Sequence, residues 1–246
     1  MSGAPEELEP QRKLDLRSGF NVRELGGYDV AGGETAYRRF LRSGGLDMLS
    51  SKDQHRLYDY GVRLVIDLRG DYEVETARDR ISAMPGVRHL HASLFDINIS
   101  DPNLERGDDE GGYLTLGYLT MLGNHDAVRR IFSFCASATP DECVLFHCAA
   151  GMDRTGMTAM LLLGLAGASK QRIVADYCYS FGSVKEVDRF AFGTEEPLRE
   201  ELRLRRDAIQ TAYDRLIEGY GSFAAYLEAC GVTSDEMDRV RAHLLR

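Results

Sequence analysis

The stretch CVLFHCAAGMDRTG, residues 143–156, decides how this chain is read. Cys143 to His147 form an apolar run of strand length, and RTGMTAMLLLGLAG (154–167) has the strongly apolar make-up of a buried helix. Cys148 and Arg154 bracket five residues in the turn between them. A strand-to-helix turn of this length can aim the backbone N–H groups of Ala149, Ala150, Gly151, Met152, Asp153, Arg154 and Thr155 into one concavity. The helix start adds partial positive charge there. Such a cup suits a phosphate dianion.

Each side chain of the turn then has a chemical task. Arg154 offers a planar two-pronged donor that matches two phosphoryl oxygens, a geometry lysine does not reproduce. The sulfur of Cys148 would lie beneath phosphorus, where converging N–H groups and a helix N-terminus favour the nucleophilic thiolate. The Thr155 hydroxyl is placed to stabilise that thiolate as it departs. Gly151 and Gly156 allow close backbone approach. His147, just before the nucleophile, orients the loop by hydrogen bonds.

Outward from the turn, short strands or a hairpin are expected over residues 21–44, where two Gly-Gly pairs punctuate apolar alternation. A helix is expected from Leu46 to Tyr60, ended by Gly61. VRLVIDL (62–68) and VRHLHASL (87–94) read as neighbouring strands. Residues 100–112 are acidic and turn-rich, and helical spacing returns over 113–137 with a break at Gly123-Asn124. A further helix follows from Ser169 to Tyr179. Residues 197–229 read as a long amphipathic region broken at Gly219 to Gly221, its charged face solvated and ion-paired. Thr233 and Glu236 have capping-box spacing. Mixed strands followed by helices imply a three-layer α/β fold with a central, mostly parallel sheet.

The chain has 246 residues, enough for one core, so residues 1–13 read as a flexible N-terminal arm and 14–246 as a single catalytic domain. A net charge of -9 argues against nucleic acid or an acidic membrane surface as a partner. The five cysteines form no CxxC pair, and neither they nor the histidines have metal-ligand spacing. No metal, cofactor or disulfide framework is expected. Cys135, Cys143, Cys178 and Cys230 read as buried small hydrophobes, with Cys178 the best redox candidate. No signal peptide or membrane-length apolar stretch stands out, which predicts a cytoplasmic location, with export lacking a recognisable signal as the alternative.

HCAAGMDRTG resembles the HCxxGKDRTG loop of the atypical bacterial tyrosine phosphatases, within the cysteine-based superfamily marked by Cys-x5-Arg-Ser/Thr. NVRELGGY (21–28) is similar to that family's NxRDLGGY. LRSGGLDMLSS and VRLVIDLRGDYE resemble its RSxxL helix and IDLR strand, and the final helices match as well. The resemblance implies a tyrosine-phosphatase-like fold with a helical lid insertion. It also implies hydrolysis of phosphotyrosine monoesters through a cysteinyl-phosphate. The alternatives are a dual-specificity or phosphoinositide phosphatase using the same loop, or a phosphate-binding pseudoenzyme.

The reaction also needs a proton donor. The resemblance points to Asp153, and Asp96, just past a candidate strand, is the alternative. Asp67 and Arg69 are expected to brace the loop. Met152 replaces the family's lysine, which implies a less cationic pocket and a tilt toward phosphotyrosine proteins over phosphoinositides. Tyr113, Leu114, Leu116, Tyr118, Leu119 and Leu122 form an apolar surface read first as core, then as part of a lid over 113–138.

Overall fold

A computed structural model describes residues 12–14, 16–96, 110–188 and 195–245. The expected arm over 1–13 and the acidic stretch over 100–112 lie almost entirely outside the described residues. Five strands form the main sheet in the order β1 (Arg23–Glu24), β4 (Phe40–Ser43), β7 (Cys143–His147), β5 (Val62–Asp67) and β6 (Arg88–His91). β4, β7, β5 and β6 run parallel, and β1 pairs antiparallel at the edge. A small hairpin, β2 (Asp29–Val30) and β3 (Gly33–Glu34), completes the short strands of the N-terminal region.

Alternation along the central strands sorts side chains onto two faces. Phe40, Leu64, Ile66, Val144 and Phe146 join the larger apolar cluster. Leu41, Val62, Val65, Cys143 and Leu145 join the smaller one, with Leu57 of α1 (Ser51–Tyr60). The larger cluster is covered by α3 (Glu110–Gly123), α4 (His125–Ala136), α5 (Asp153–Ala166), α6 (Lys170–Asp188), α7 (Glu195–Tyr220), α8 (Phe223–Ala229) and α9 (Ser234–Leu245). The sheet is thus the middle of three unequal layers. A short helix absent from the sequence reading, α2 (Asp71–Thr76), follows β5.

Local chemistry explains where the elements stop. Ser50 caps α1 by accepting from Asp53 N, and Gly61 closes it in the left-handed region at φ 113°. Asn124 separates α3 from α4 and caps the second. Gly221 (φ 80°) and the Ser222 cap divide α7 from α8. Thr233 and Glu236 form the expected reciprocal pair, with Thr233 N donating to Glu236 Oε2 at 2.9 Å and Glu236 N to Thr233 Oγ1 at 3.2 Å. On α3, Leu114, Tyr118 and Leu122 are buried, whereas Leu116 is exposed; this face is mainly core. Among the described residues no helix is long and apolar enough to cross a membrane.

Candidate active site

The parallel strands place their C-terminal ends side by side: Ser43 and Asp67 both lie in register with His147. Crevices at such strand ends are where open α/β sheets hold ligands. Cys148 follows β7 directly, and the chain turns through Ala149 to Met152 before α5 begins at Asp153. α5 leaves its first N–H groups without intrahelical partners, as every helix does.

The loop's carbonyls are tied outward. Gly45 N donates to Ala149 O at 2.8 Å, and Asn21 Nδ2 donates to Ala150 O at 3.1 Å and to Gly151 O at 2.9 Å. Arg42 donates to Gly151 O at 2.9 Å. Because a trans peptide directs N–H opposite to C=O, these three anchors turn the amides of Ala150, Gly151 and Met152 toward the other side. These amides thus lie on the side of the turn away from the anchors. Gly151 adopts φ 68°, and a Cβ there would meet the Ser43 and Gly44 backbone at 2.5 Å. Only glycine fits.

The anchors form a buried network. Asp176 of α6 accepts from Arg23 at 3.2 Å, from Tyr28 at 2.7 Å and, in a shorter contact, from Arg42. Arg23 also donates to Asn21 Oδ1 at 2.5 Å and to Ser180 Oγ at 2.7 Å. Burial alone would raise the Asp176 pKa, but Arg42 and Arg23 outweigh it and hold the carboxyl low. Burial and the neighbouring Arg23 draw Arg42 down to about 10. NVRELGGY and LRSG thus act as the scaffold of the loop. Their likeness to a family was legible, but the network that gives them this task joins residues over a hundred positions apart.

Cys148, Arg154 and Thr155 are all buried, and among the described residues Thr155 Oγ1 has no hydrogen-bond partner. Arg154 forks onto Glu73 of α2, with Nη2 to Oε1 at 3.0 Å and a shorter contact from Nη1, and also donates to Phe95 O at 3.4 Å. Burial would raise the Glu73 pKa, but the Arg154 bonds outweigh it and lower it. Glu73 was missed because VIDLRGDYEVET reads only as a charged stretch after a strand. Asp96 is exposed, beside Phe95, and accepts from Ser93 at 2.6 Å.

Asp67 and Arg69 lie in a buried cluster with Asp79 and His147, the residue before Cys148. Arg69 donates to Asp67 at 2.7 Å and to Asp79 at 3.2 Å, and His147 Nε2 lies 2.7 Å from Asp79. Burial would raise Asp67, yet the Arg69 bonds and His147 leave it low. Ligand atoms of Asp67, Asp79 and His147 all fall within 4.8 Å of one another. The Arg69 guanidinium already engages both carboxylates, so the cluster reads as an ion-pair network rather than a cation site.

Asp153 is 5% exposed, and its Oδ1 accepts from Tyr118 at 2.6 Å, Tyr177 at 3.1 Å and Arg205 at 2.8 Å. This corrects one expectation. The charged segment from Arg199 to Arg215 is not wholly a solvated face, because Arg205 turns inward at 2% exposure. Met152 is also buried, so the family's lysine position is enclosed in this chain. The other four cysteines are buried as expected; burial pushes Cys135 up to about 12 and raises Cys143, Cys178 and Cys230.

An α/β sheet with a cysteine–arginine loop at its C-terminal edge defines a class of phosphate-handling proteins, and comparison with known proteins gives the family. The model of the tyrosine phosphatase family matches residues 14–246. A tyrosine-protein phosphatase of Nostoc commune is 31% identical, over 83% of this chain and 74% of that protein. The triple specificity protein phosphatase PtpB of Mycobacterium tuberculosis is 30% identical, over 91% of this chain and 99% of its own. The chain belongs to the tyrosine phosphatase family, whose members are cysteine-dependent hydrolases of phosphoric monoesters.

Proposed function

We propose that this phosphatase hydrolyses phosphotyrosine in proteins, with Cys148 as nucleophile and Arg154 and the amides from Ala149 to Thr155 as the phosphate cradle. The observation that carries the assignment is the loop whose carbonyls are held outward by Asn21, Arg42 and Gly45. The Cys148 sulfur attacks phosphorus, and the P–O bond to the phenol breaks. Asp153 supplies the proton to the leaving oxygen. Water then attacks the phosphocysteine, Asp153 takes its proton, and the S–P bond breaks to release phosphate. The Thr155 hydroxyl stabilises the sulfur as it leaves. Glu73 holds the Arg154 fork in the plane two phosphoryl oxygens need.

A cleft of about 410 Å³ beside the loop supports the substrate class. Phe20, Met48 and Ala77 line it together with Ala149 and three charged residues, Asp47, Glu73 and Arg69. An apolar wall suits a phenyl ring, and the lining gives a polyphosphorylated head group little to bind, because its arginine, Arg69, is already paired with Asp67 and Asp79 while Asp47 and Glu73 are anionic. The relative named for triple specificity supports testing substrates beyond phosphotyrosine alongside. Action in the cytoplasm is part of the same reading, supported by five free, buried cysteines.

The decisive experiment is hydrolysis of an aryl phosphate, a phosphopeptide panel and phosphoinositides by wild type, Cys148→Ser and Asp153→Asn. Cys148→Ser is expected to abolish turnover while retaining vanadate or phosphate binding. Full activity in that variant would overturn the mechanism. Equal rates on phosphotyrosine peptides and phosphoinositides would overturn the substrate assignment.

A further inference from the structure

Four helices meet at Asp153. α5 supplies the carboxyl, α3 Tyr118, α6 Tyr177 and α7 Arg205. Fifty-two residues separate Arg205 from Asp153 along the chain, yet the two are in a buried ion pair at 2.8 Å. Such pairing requires a reason, because bringing a guanidinium out of water is costly unless its charge is answered. Arg205 answers two carboxylates, donating through Nε to Glu201 at 3.0 Å and through Nη1 to Asp153.

We propose that Arg205 is a positioning residue of the reaction: through its ion pair it sets the pH at which Asp153 carries the proton needed by the leaving oxygen. The proposal rests on the reading of Asp153 as proton donor. Three donors on one oxygen hold the carboxyl in a single orientation, and the guanidinium among them favours its ionised form. The tyrosines do not compete for that proton. Burial first, then the Asp153 charge, raises both hydroxyls above their ordinary value, so they remain donors. Burial would lower Arg205, but Asp153, both tyrosines and Glu201 outweigh it, so it stays cationic.

Among the described residues, Arg154 of the same helix also acts on Asp153. It interacts with Cys148 as well and is forked onto Glu73. Glu73 therefore answers Arg154, while Arg205 answers Asp153. A donor held toward its ionised form gives less help to a poor leaving group than to a good one. The phenol of tyrosine leaves far more readily than the alcohol of serine or threonine, so the Arg205 contact itself favours aryl over alkyl monoesters.

The test is the pH profile of kcat/KM, on an aryl phosphate, for wild type, Arg205→Met, Arg205→Lys, Tyr118→Phe and Asp153→Asn. The alkaline limb reports loss of the proton donor in the free enzyme. Removing the guanidinium raises the proton affinity of Asp153, so in Arg205→Met that limb is expected to move up by about one to three pH units. Arg205→Lys should restore part of the wild-type position, and Tyr118→Phe should shift the limb the same way by less. The alkyl-to-aryl rate ratio at neutral pH should rise in step. Melting curves and circular dichroism establish that each variant is folded; if Arg205→Met is not, Tyr118→Phe and Arg205→Lys carry the test alone. An unmoved limb in the folded variants, with Asp153→Asn abolishing it, would overturn the role of Arg205 and leave Asp153 as donor. A limb that persists in Asp153→Asn would instead overturn the donor assignment, and the role of Arg205 with it.

Discussion

At the residue scale, Gly151 illustrates how much of the site rests on backbone rather than side chains. Its positive φ and the 2.5 Å approach to Ser43 and Gly44 leave no space for a methyl group. In Gly151→Ala the loop must move away from β4, carrying the amides with it. A displacement of about 1 Å at a reacting centre can cost ~100-fold in rate. The expected outcome is a kcat/KM loss of that order with a parallel loss of vanadate affinity, read by inhibition titration. Asn21 sits nearby with its own positive φ of 54° and donates to two loop carbonyls. Asn21→Ala is expected to lower activity more than stability, which paired kinetic and urea-unfolding measurements would separate.

At the element scale, the sheet depends on alternation and the helices on their ends. The Thr233–Glu236 box was readable as a spacing, and α9 forms directly behind it. Thr233→Ala removes the acceptor for the Glu236 amide and is expected to cost about 1 kcal/mol. Urea unfolding measures that loss, and kcat should be unchanged. A larger effect is expected where α6 meets the sheet. Asp176 answers two buried guanidinia, Arg23 and Arg42, and Asp176→Ala leaves both uncompensated. Removing one partner from a buried pair costs about 3–5 kcal/mol, and phosphate binding should weaken as Arg42 releases Gly151 O. These contacts were not legible in the sequence. Arg23 and Asp176 carry no local pattern that links them, and only the packing of α6 beneath the loop creates the pair.

At the scale of the whole molecule, stability is tied to carboxylates that stay ionised. Asp67 and Asp176 are both held below the ordinary carboxylate value, by Arg69 and His147 in one case and by Arg42 and Arg23 in the other. A lowered carboxyl contributes fully above its unfolded value, about 3.9, and the contribution drains as pH falls toward the lower folded value. The urea midpoint should therefore be nearly flat from pH 7 to 5 with respect to these groups and decline below about pH 4. Asp176→Asn should start lower and lose less on acidification.

The sequence by itself determined most of the order of elements, α2 excepted, and the strand–loop–helix at residues 143–156, and it singled out Cys148 and Arg154 as candidate nucleophile and phosphate ligand. Those features are local: strand length, helical spacing, caps and turn glycines are written in neighbouring residues. The family resemblance points to Asp153, with Asp96 as the alternative, and the sequence offers Asp67 and Arg69 as braces of the loop. Only the tertiary structure decided what surrounds them. Glu73 came to Arg154 from a helix hidden in a charged stretch, Asn21 and Arg42 to the loop carbonyls from the first strands, and Arg205 to Asp153 from a helix whose charges suggested solvent. Each of these pairs joins segments distant in the chain, and hydrogen-bond geometry between such segments is set by packing, which no local pattern encodes.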